Sequence, residues 1–300
     1  MRDIDDLTIH PASPSPWHQI NLRVPDELTG ATGLQSVMGS AEADGLIDSW
    51  FFIRKGQWRV RFRPADLSVA DHAHAAILGG LADLRRPNDL ADPRGVSYEP
   101  ETYVFGGRVG MDVTHQLWHA DSRNVVAYLA SLETTGKPDR RREISILLLS
   151  AMLQAASLDW YEQGDIWARV ADEDRPLDKT LDSRFLVRLV EQIRRLMIAG
   201  PAISATAAES IASLASWLSD FVHTGRAFMR HAQQGELSRG LRRVLGHQFI
   251  FHWNRLGLTA KQQALICAAA RSAVFPSDIG MHPFPAPYLD LSARSGATSG

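Results

Sequence analysis

Cysteine is almost absent from this chain: Cys267 is the only one in 300 residues. That excludes an internal disulfide and any cysteine-based metal cluster. The residue lies in the apolar run Ala264-Leu265-Ile266-Cys267-Ala268-Ala269-Ala270, which reads as a buried thiol. Net charge is nearly absent too, since 32 basic against 34 acidic residues leave −2. No bulk positive field exists to hold nucleic acid, so no direct nucleic-acid contact is expected. Nowhere do roughly 18 apolar residues run together, so no membrane span is expected. The segment Met1 to Trp17 is acidic and then Pro/Ser-rich, without the apolar core of a signal peptide. These absences predict a cytoplasmic protein.

Lysine is the other scarcity. Lys55, Lys137, Lys179 and Lys261 are the only four, so the remaining 28 of the 32 cations are arginines. An arginine is a planar, always-charged fork that matches carboxylate or phosphate. What is plentiful is apolar surface, 45% of residues, with 22% charged, the balance of a folded globular chain.

The pattern predicts an α+β fold: a small antiparallel sheet first, then a mainly helical second half. Residues 1–16 read as a flexible leader, 17–274 as one domain and 275–300 as a loosely ordered tail. Strand-like segments occupy Trp17 to Val24, Leu46 to Arg54 and Trp58 to Arg63, the last two forming a hairpin about Lys55-Gly56. Asp66 to Arg86 reads as a helix capped by Asp66 or Ser68, and Val96 to Phe105 as a further extended segment bent at Pro100. Helical spacing of apolar residues then covers Met111 to Leu132, Arg141 to Tyr161, Ser183 to Ala199, Ser204 to Gln233, Leu237 to Arg255 and Thr259 to Ala273.

Two segments carry candidate chemistry. In Trp58-Arg59-Val60-Arg61-Phe62-Arg63, strand alternation puts the three arginines on one face and the apolar residues on the other. Like charges in such a row repel unless an anion or carboxylates lie between them. The arginine face is either a solvated surface neutralised by acidic neighbours or a claw for a carboxylate or phosphate. In Phe251-His252-Trp253-Asn254-Arg255, a histidine, an asparagine and an arginine fall within one helical turn, and a histidine exchanges protons near neutral pH. His247 lies on a neighbouring face. His115 and His119 have the i, i+4 spacing of a zinc pair, but Gln116 stands where a metalloprotease has glutamate, so no metal is expected. Gly106-Gly107-x-x-Gly110 fits neither the dinucleotide nor the P-loop spacing and reads as a turn into a helix.

These stretches, with Asp48 to Lys55, Tyr98-Glu99-Pro100-Glu101-Thr102-Tyr103-Val104-Phe105-Gly106-Gly107, His119 to Arg123, Arg142 to Ser145 and Phe251 to Gly257, resemble the thiopeptide-type bacteriocin biosynthesis proteins. Those are stand-alone relatives of the C-terminal elimination domain of lantibiotic dehydratases. The resemblance runs from about Trp17 to Ala273 in the family's order. It implies a lyase that removes glutamate from glutamylated Ser or Thr of a precursor peptide, leaving dehydroalanine or dehydrobutyrine. Its partners would be that precursor, leader and core, and a protein that adds glutamate from glutamyl-tRNA; no cofactor is implied. The implied catalytic residues are Arg59, Arg61 and His252, with Arg63, Asn254 and Arg255 binding substrate. Two departures stand out. Gln57 replaces a histidine often found ahead of the arginine pair, and Tyr98 to Gly107 lacks an arginine that the lantibiotic enzymes carry there. The same scaffold also serves pyridine synthases, which join two dehydroalanines by a formal [4+2] cycloaddition and release the leader. A non-catalytic leader-binding scaffold is the third reading.

Overall fold

A computed structural model describes residues 16–24, 26–82, 90–91, 98–177, 183–199 and 212–276. Four strands and nine α-helices occur among these residues: β1 His18–Leu22, α1 Glu27–Ala43, β2 Ile47–Lys55, β3 Gln57–Pro64, α2 Ala70–Ala82, β4 Leu90–Ala91, α3 Arg108–Thr135, α4 Arg141–Ala155, α5 Trp160–Arg169, α6 Ser183–Ala199, α7 Ala212–Gln233, α8 Leu241–Leu256 and α9 Ala260–Val274. The chain is α+β with a mainly helical second half.

The strands form one antiparallel sheet in the order β2-β3-β1-β4. Alternation on β3 works as its residues dictate. Trp58, Val60 and Phe62 are buried with Leu34 and Met38 of α1 and Ile77 and Leu81 of α2 in the main core. Arg59, Arg61 and Arg63 point to the opposite face. A second cluster gathers there: Trp17, Phe51, Ile53, Tyr98, Phe105, Met111 and Trp118 are buried together, with Phe251 packed against them.

β2 is an edge strand, and an open edge presents unpaired backbone groups. Helix α3 closes it with side chains. The Phe52 N–H donates to Ser122 Oγ at 3.2 Å, and His119 Nδ1 lies 3.1 Å from both the N–H and the carbonyl oxygen of Trp50. The start of α3 is fixed by the glycine run. Gly106 and Gly107 both have positive φ, a region open mainly to glycine, and a Cβ on Gly110 would overlap the carbonyl oxygen of Phe105.

Several elements differ from the sequence expectation. Helix α1 occupies a stretch that shows no clear period, with Asp26 as N-cap accepting from the Thr29 N–H. Tyr98 to Phe105 is no strand: Pro100 and the two glycines fold it into a compact turn, closed by Gly107 N–H to Thr102 O at 2.8 Å. The single helix expected over Arg141 to Tyr161 is two helices. Ser157 has φ 59°, and a new helix begins at the capping box formed by Asp159 and Glu162. Helix α8 starts at Leu241 rather than Leu237, and α2 is preceded by a short 3₁₀ turn that Asp66 caps. Residues 1–15, 204–211 and 277–300, which held the expected leader, the first part of the helix Ser204 to Gln233 and most of the tail, lie outside the described residues. No helix among the described residues is long and apolar enough to cross a membrane. Cys267 is fully buried, and burial raises its thiol pKa.

Candidate active site

The arginine face of β3 is built by three strands. Across the register, Arg61 lies between Gln19 of β1 and Phe51 of β2, and Arg59 between Asn21 and Ile53. Arg61 Nε donates to Gln19 Oε1 at 2.7 Å, and its guanidinium sits 4.2 Å from the centroid of the Tyr98 ring and 5.5 Å from that of Phe51. That geometry is a cation held against aromatic faces, favourable for guanidinium in a partly dry setting. Burial is the main cause that lowers the Arg61 pKa from its ordinary value, the neighbouring Arg59 charge adds to it, and Tyr98 and Glu101 oppose it. Neither Arg59 nor Arg61 forms an ion pair among the described residues. Arg63 differs: Asp48 accepts its Nε–H at 2.8 and 3.0 Å, at an exposed position.

Beside Arg61 stands a pair of groups that exchange protons. Tyr98 Oη and His115 Nε2 are 3.0 Å apart. The His115 ring lies 4.8 Å from the Trp17 ring and 5.8 Å from that of Phe51. Burial, with the charges of Arg63 and Arg61, pulls the His115 pKa down to about 4, so the imidazole is neutral at neutral pH. Burial raises the Tyr98 hydroxyl, with Arg61 opposing. Two neutral groups sharing a hydrogen bond can pass a proton along only by taking one at one end and giving one at the other. Sequence spacing offers His115 only as half of a zinc pair. The structure gives His115 to Tyr98 and His119 to the β2 edge, and the described residues contain no group of three or more His, Cys, Asp or Glu able to hold a metal ion.

The second sequence candidate lies elsewhere. His252 is fully buried, its Nδ1 is 3.0 Å from both oxygens of Asp121, and rings of Phe221 and Trp217 cover it. Arg255 is also fully buried and donates Nε–H to Asp121 Oδ2 at 2.6 Å; Trp217 Nε1–H donates to Asp121 Oδ1 at 2.8 Å. Burial alone would raise the Asp121 pKa, but the facing His252 and Arg255 outweigh it and hold the carboxyl below its usual range. The expected site residues of this helix, His252, Asn254 and Arg255, do not share one environment. His252 and Arg255 turn inward to Asp121, and Asn254 alone is partly exposed. A layer of aromatic rings separates the two regions: Arg255 lies over Trp118, Trp118 packs on Phe51, and Arg61 lies over Phe51 on the far side. His247, partly buried, meets Phe105 edge-on and belongs to neither.

Other motif residues also prove architectural. Ser145 Oγ accepts the Trp253 Nε1–H at 2.6 Å, and Gln248 bridges Trp118 and Thr114. Glu27 accepts from both Arg54 and Arg141 between the sheet and the helical half, and Arg141 also donates to Leu256 O at 2.9 Å.

The profile of the family described as lantibiotic biosynthesis dehydratase, C-terminal, matches residues 17–274. Among solved structures, a tRNA-dependent lantibiotic dehydratase, MibB from Microbispora sp. 107891, is similar over 90% of this chain at TM-score 0.65 and 21% identity. The chain spans only 29% of that protein's length. The pyridine synthase TbtD from thiomuracin biosynthesis is similar at TM-score 0.59 and 14% identity, over 87% of this chain and 98% of its own. TsrL is similar at TM-score 0.55 and 14% identity, over 88% of this chain and 95% of its own. No curated protein sequence matches the chain.

Proposed function

The chain belongs to the lantibiotic dehydratase C-terminal family, and from that premise we propose that it is an enzyme of ribosomal-peptide modification that eliminates glutamate from glutamylated Ser or Thr of a precursor peptide. The observation that carries this reading is the pair Arg59 and Arg61. Both sit on a partly buried face without an ion pair among the described residues, whereas Arg54, Arg63, Arg141 and Arg255 each have a carboxylate. An unpaired, partly dehydrated guanidinium is costly unless a ligand anion completes it, and the departing group here is a carboxylate.

The reaction takes the Cα proton of the esterified residue. The electron pair of that C–H bond becomes the second bond of Cα=Cβ, the Cβ–O bond breaks, and glutamate leaves with the Cβ–O pair as its carboxylate. Arg59 and Arg61 hold the leaving carboxylate and the negative charge that develops on the peptide carbonyl, the stabilisation that usually dominates such steps. His115, neutral at neutral pH and bonded to Tyr98, receives the proton; its low basicity means that the arginines must first acidify Cα–H. His252 and Arg255 act through structure by fixing α8 on α3. A separate protein adds the glutamate from glutamyl-tRNA, and the reaction takes place in the cytoplasm. The mechanism calls for no cofactor.

One observation favours the cycloaddition reading: the turn from Tyr98 to Gly107 carries no arginine, and its Tyr98 meets His115 within a cluster of aromatic rings. The discriminating experiment supplies the purified protein with a glutamylated precursor and, separately, with a bis-dehydroalanine precursor, and reads masses and free glutamate. Glutamate release with one water lost per processed residue, relative to the original Ser or Thr, supports elimination. A pyridine-containing macrocycle with stoichiometric free leader replaces it with the second reading. Arg59→Lys, with loss of turnover on a charge-conserving change, separates the eliminating enzyme from a scaffold.

A further inference from the structure

The arginine face of β3 is held from β1 by a neutral group. Gln19 stands opposite Arg61 in the register, and Asn21 opposite Arg59. Arg61 donates its Nε–H to Gln19 Oε1 at 2.7 Å, and Gln19 Nε2 donates to Asn21 Oδ1 at 3.0 Å. A guanidinium has no acceptor, so the Gln19 oxygen has to face it and the amide nitrogen is left for Asn21. One orientation of both amides follows. The Arg61 guanidinium is thus tied at one edge by Gln19 and held 4.2 Å from the centroid of the Tyr98 ring. Its Nη1 and Nη2 groups have no hydrogen-bond partner among the described residues. Glu101, the acidic residue whose charge acts on Arg61, is exposed and forms no ion pair with it.

The kind of acceptor on Nε decides what the rest of the guanidinium can do. Arg63, the next residue along the same face, gives its Nε–H to Asp48, and Arg255 gives its own to Asp121. A carboxylate in that place orients the arginine and neutralises it at once. An amide oxygen orients it and leaves the positive charge for an incoming anion. We infer that Gln19 is a positioning residue of this site: it aims the Nη1 and Nη2 end of Arg61 at a ligand carboxylate while leaving the charge of Arg61 uncompensated. Identifying that carboxylate as departing glutamate rests on the reading of the preceding subsection; the positioning of Arg61 does not.

Calorimetry with free glutamate, alongside urea unfolding, tests this on the full chain through two substitutions that act in opposite ways. Gln19→Leu adds no charge but removes the acceptor, so Arg61 loses its aim and glutamate should bind about three- to tenfold more weakly. Gln19→Glu keeps an acceptor for the Nε–H but supplies a carboxylate, which pairs Arg61 internally as Asp48 pairs Arg63. That variant should bind glutamate about tenfold or more weakly, yet unfold at the same or a higher urea concentration than wild type. A purely structural Gln19 predicts the reverse, with Gln19→Glu tolerated because the new side chain serves the Nε–H equally well. Affinity within about twofold of wild type in either variant would overturn the inference. So would a lower urea midpoint in Gln19→Glu, or no glutamate binding by the wild type. Glutamate release from a glutamylated precursor, measured on the same preparations, reports separately on elimination. Release by the wild type with full glutamate affinity in both variants rejects the positioning role alone; Gln19-dependent binding without release rejects elimination alone.

Discussion

Arginine and histidine meet on each of the two sides of one aromatic layer, and these two meetings do opposite things. Around Asp121, Arg255, His252 and Trp217 converge on one carboxylate with no water access. On the sheet face, Arg61 stands beside His115, and neither it nor Arg59 forms an ion pair among the described residues. A buried charge whose partner is internal belongs to the architecture; a partly buried charge whose partner is missing is prepared for a ligand. Residue type does not separate these cases. The location of the counter-charge does.

The contrast can be broken most severely at Asp121. Asp121→Ala leaves Arg255 buried without its counter-charge, and the expected loss is about 3–5 kcal/mol of folding stability. Urea unfolding checks it, with Arg59→Ala as the reference that should stay within about 0.5 kcal/mol of wild type. If both variants unfold at the same urea concentration, the distinction between internal and missing partners has no energetic content.

On the sheet face a somewhat smaller effect should fall on catalysis instead. Arg59→Ala and Arg61→Ala each remove a charge-assisted contact of about 1.5–3 kcal/mol, so glutamate release should slow ten- to more than a hundredfold. Circular dichroism should remain that of the wild type. Rapid turnover by either variant would return the arginine row to a solvated surface.

His115 sharpens the comparison through pH. The folded protein keeps its ring neutral down to about pH 4, while the unfolded chain takes up a proton near 6.5. Between those values the unfolded state binds more protons, so His115 makes stability rise with pH across that window, and its contribution is lost as pH falls from 6.5 towards 4. His115→Gln should therefore flatten the stability profile between pH 6.5 and 4, as read from unfolding midpoints. An unchanged slope would mean that the ring takes up its proton in the folded state. The smallest effect belongs to Arg63→Ala, whose exposed pair with Asp48 should be worth at most about 1 kcal/mol and should leave turnover within a few-fold of wild type.

Much of this arrangement is legible in the sequence, for reasons that differ by element. The β2–β3 hairpin and its two faces follow from strict alternation about a glycine turn, so Trp58, Val60 and Phe62 can be placed inside from the pattern alone. Helix α1 cannot, because Glu27 to Ala43 mixes glycine, serine and alanine, and its helicity comes from the Asp26 cap and from Leu34 and Met38 against the sheet. The site is half legible. Arg59 and Arg61 are visible because strand period fixes their side, but their lack of an ion pair among the described residues is a tertiary fact. His252 looks reactive in the string because Asp121, its partner, lies 131 positions away. Tyr98 and His115 are invisible as a pair for the related reason that a turn, not a strand, brings Tyr98 over the sheet.

The closure of β2 by α3 also imposes an order in time. The hairpin is local and can form early, yet the groups that cover its edge, His119 and Ser122, come from 69 and 70 residues further along. A chain emerging from the ribosome therefore carries an open, aromatic strand edge until α3 has been made and docked. Slow, long-range closure of this kind is the interval in which strands pair with the wrong neighbour. Weakening Ser122 or His119 should show first as poor soluble yield on expression, before any loss in the stability of molecules that have already folded.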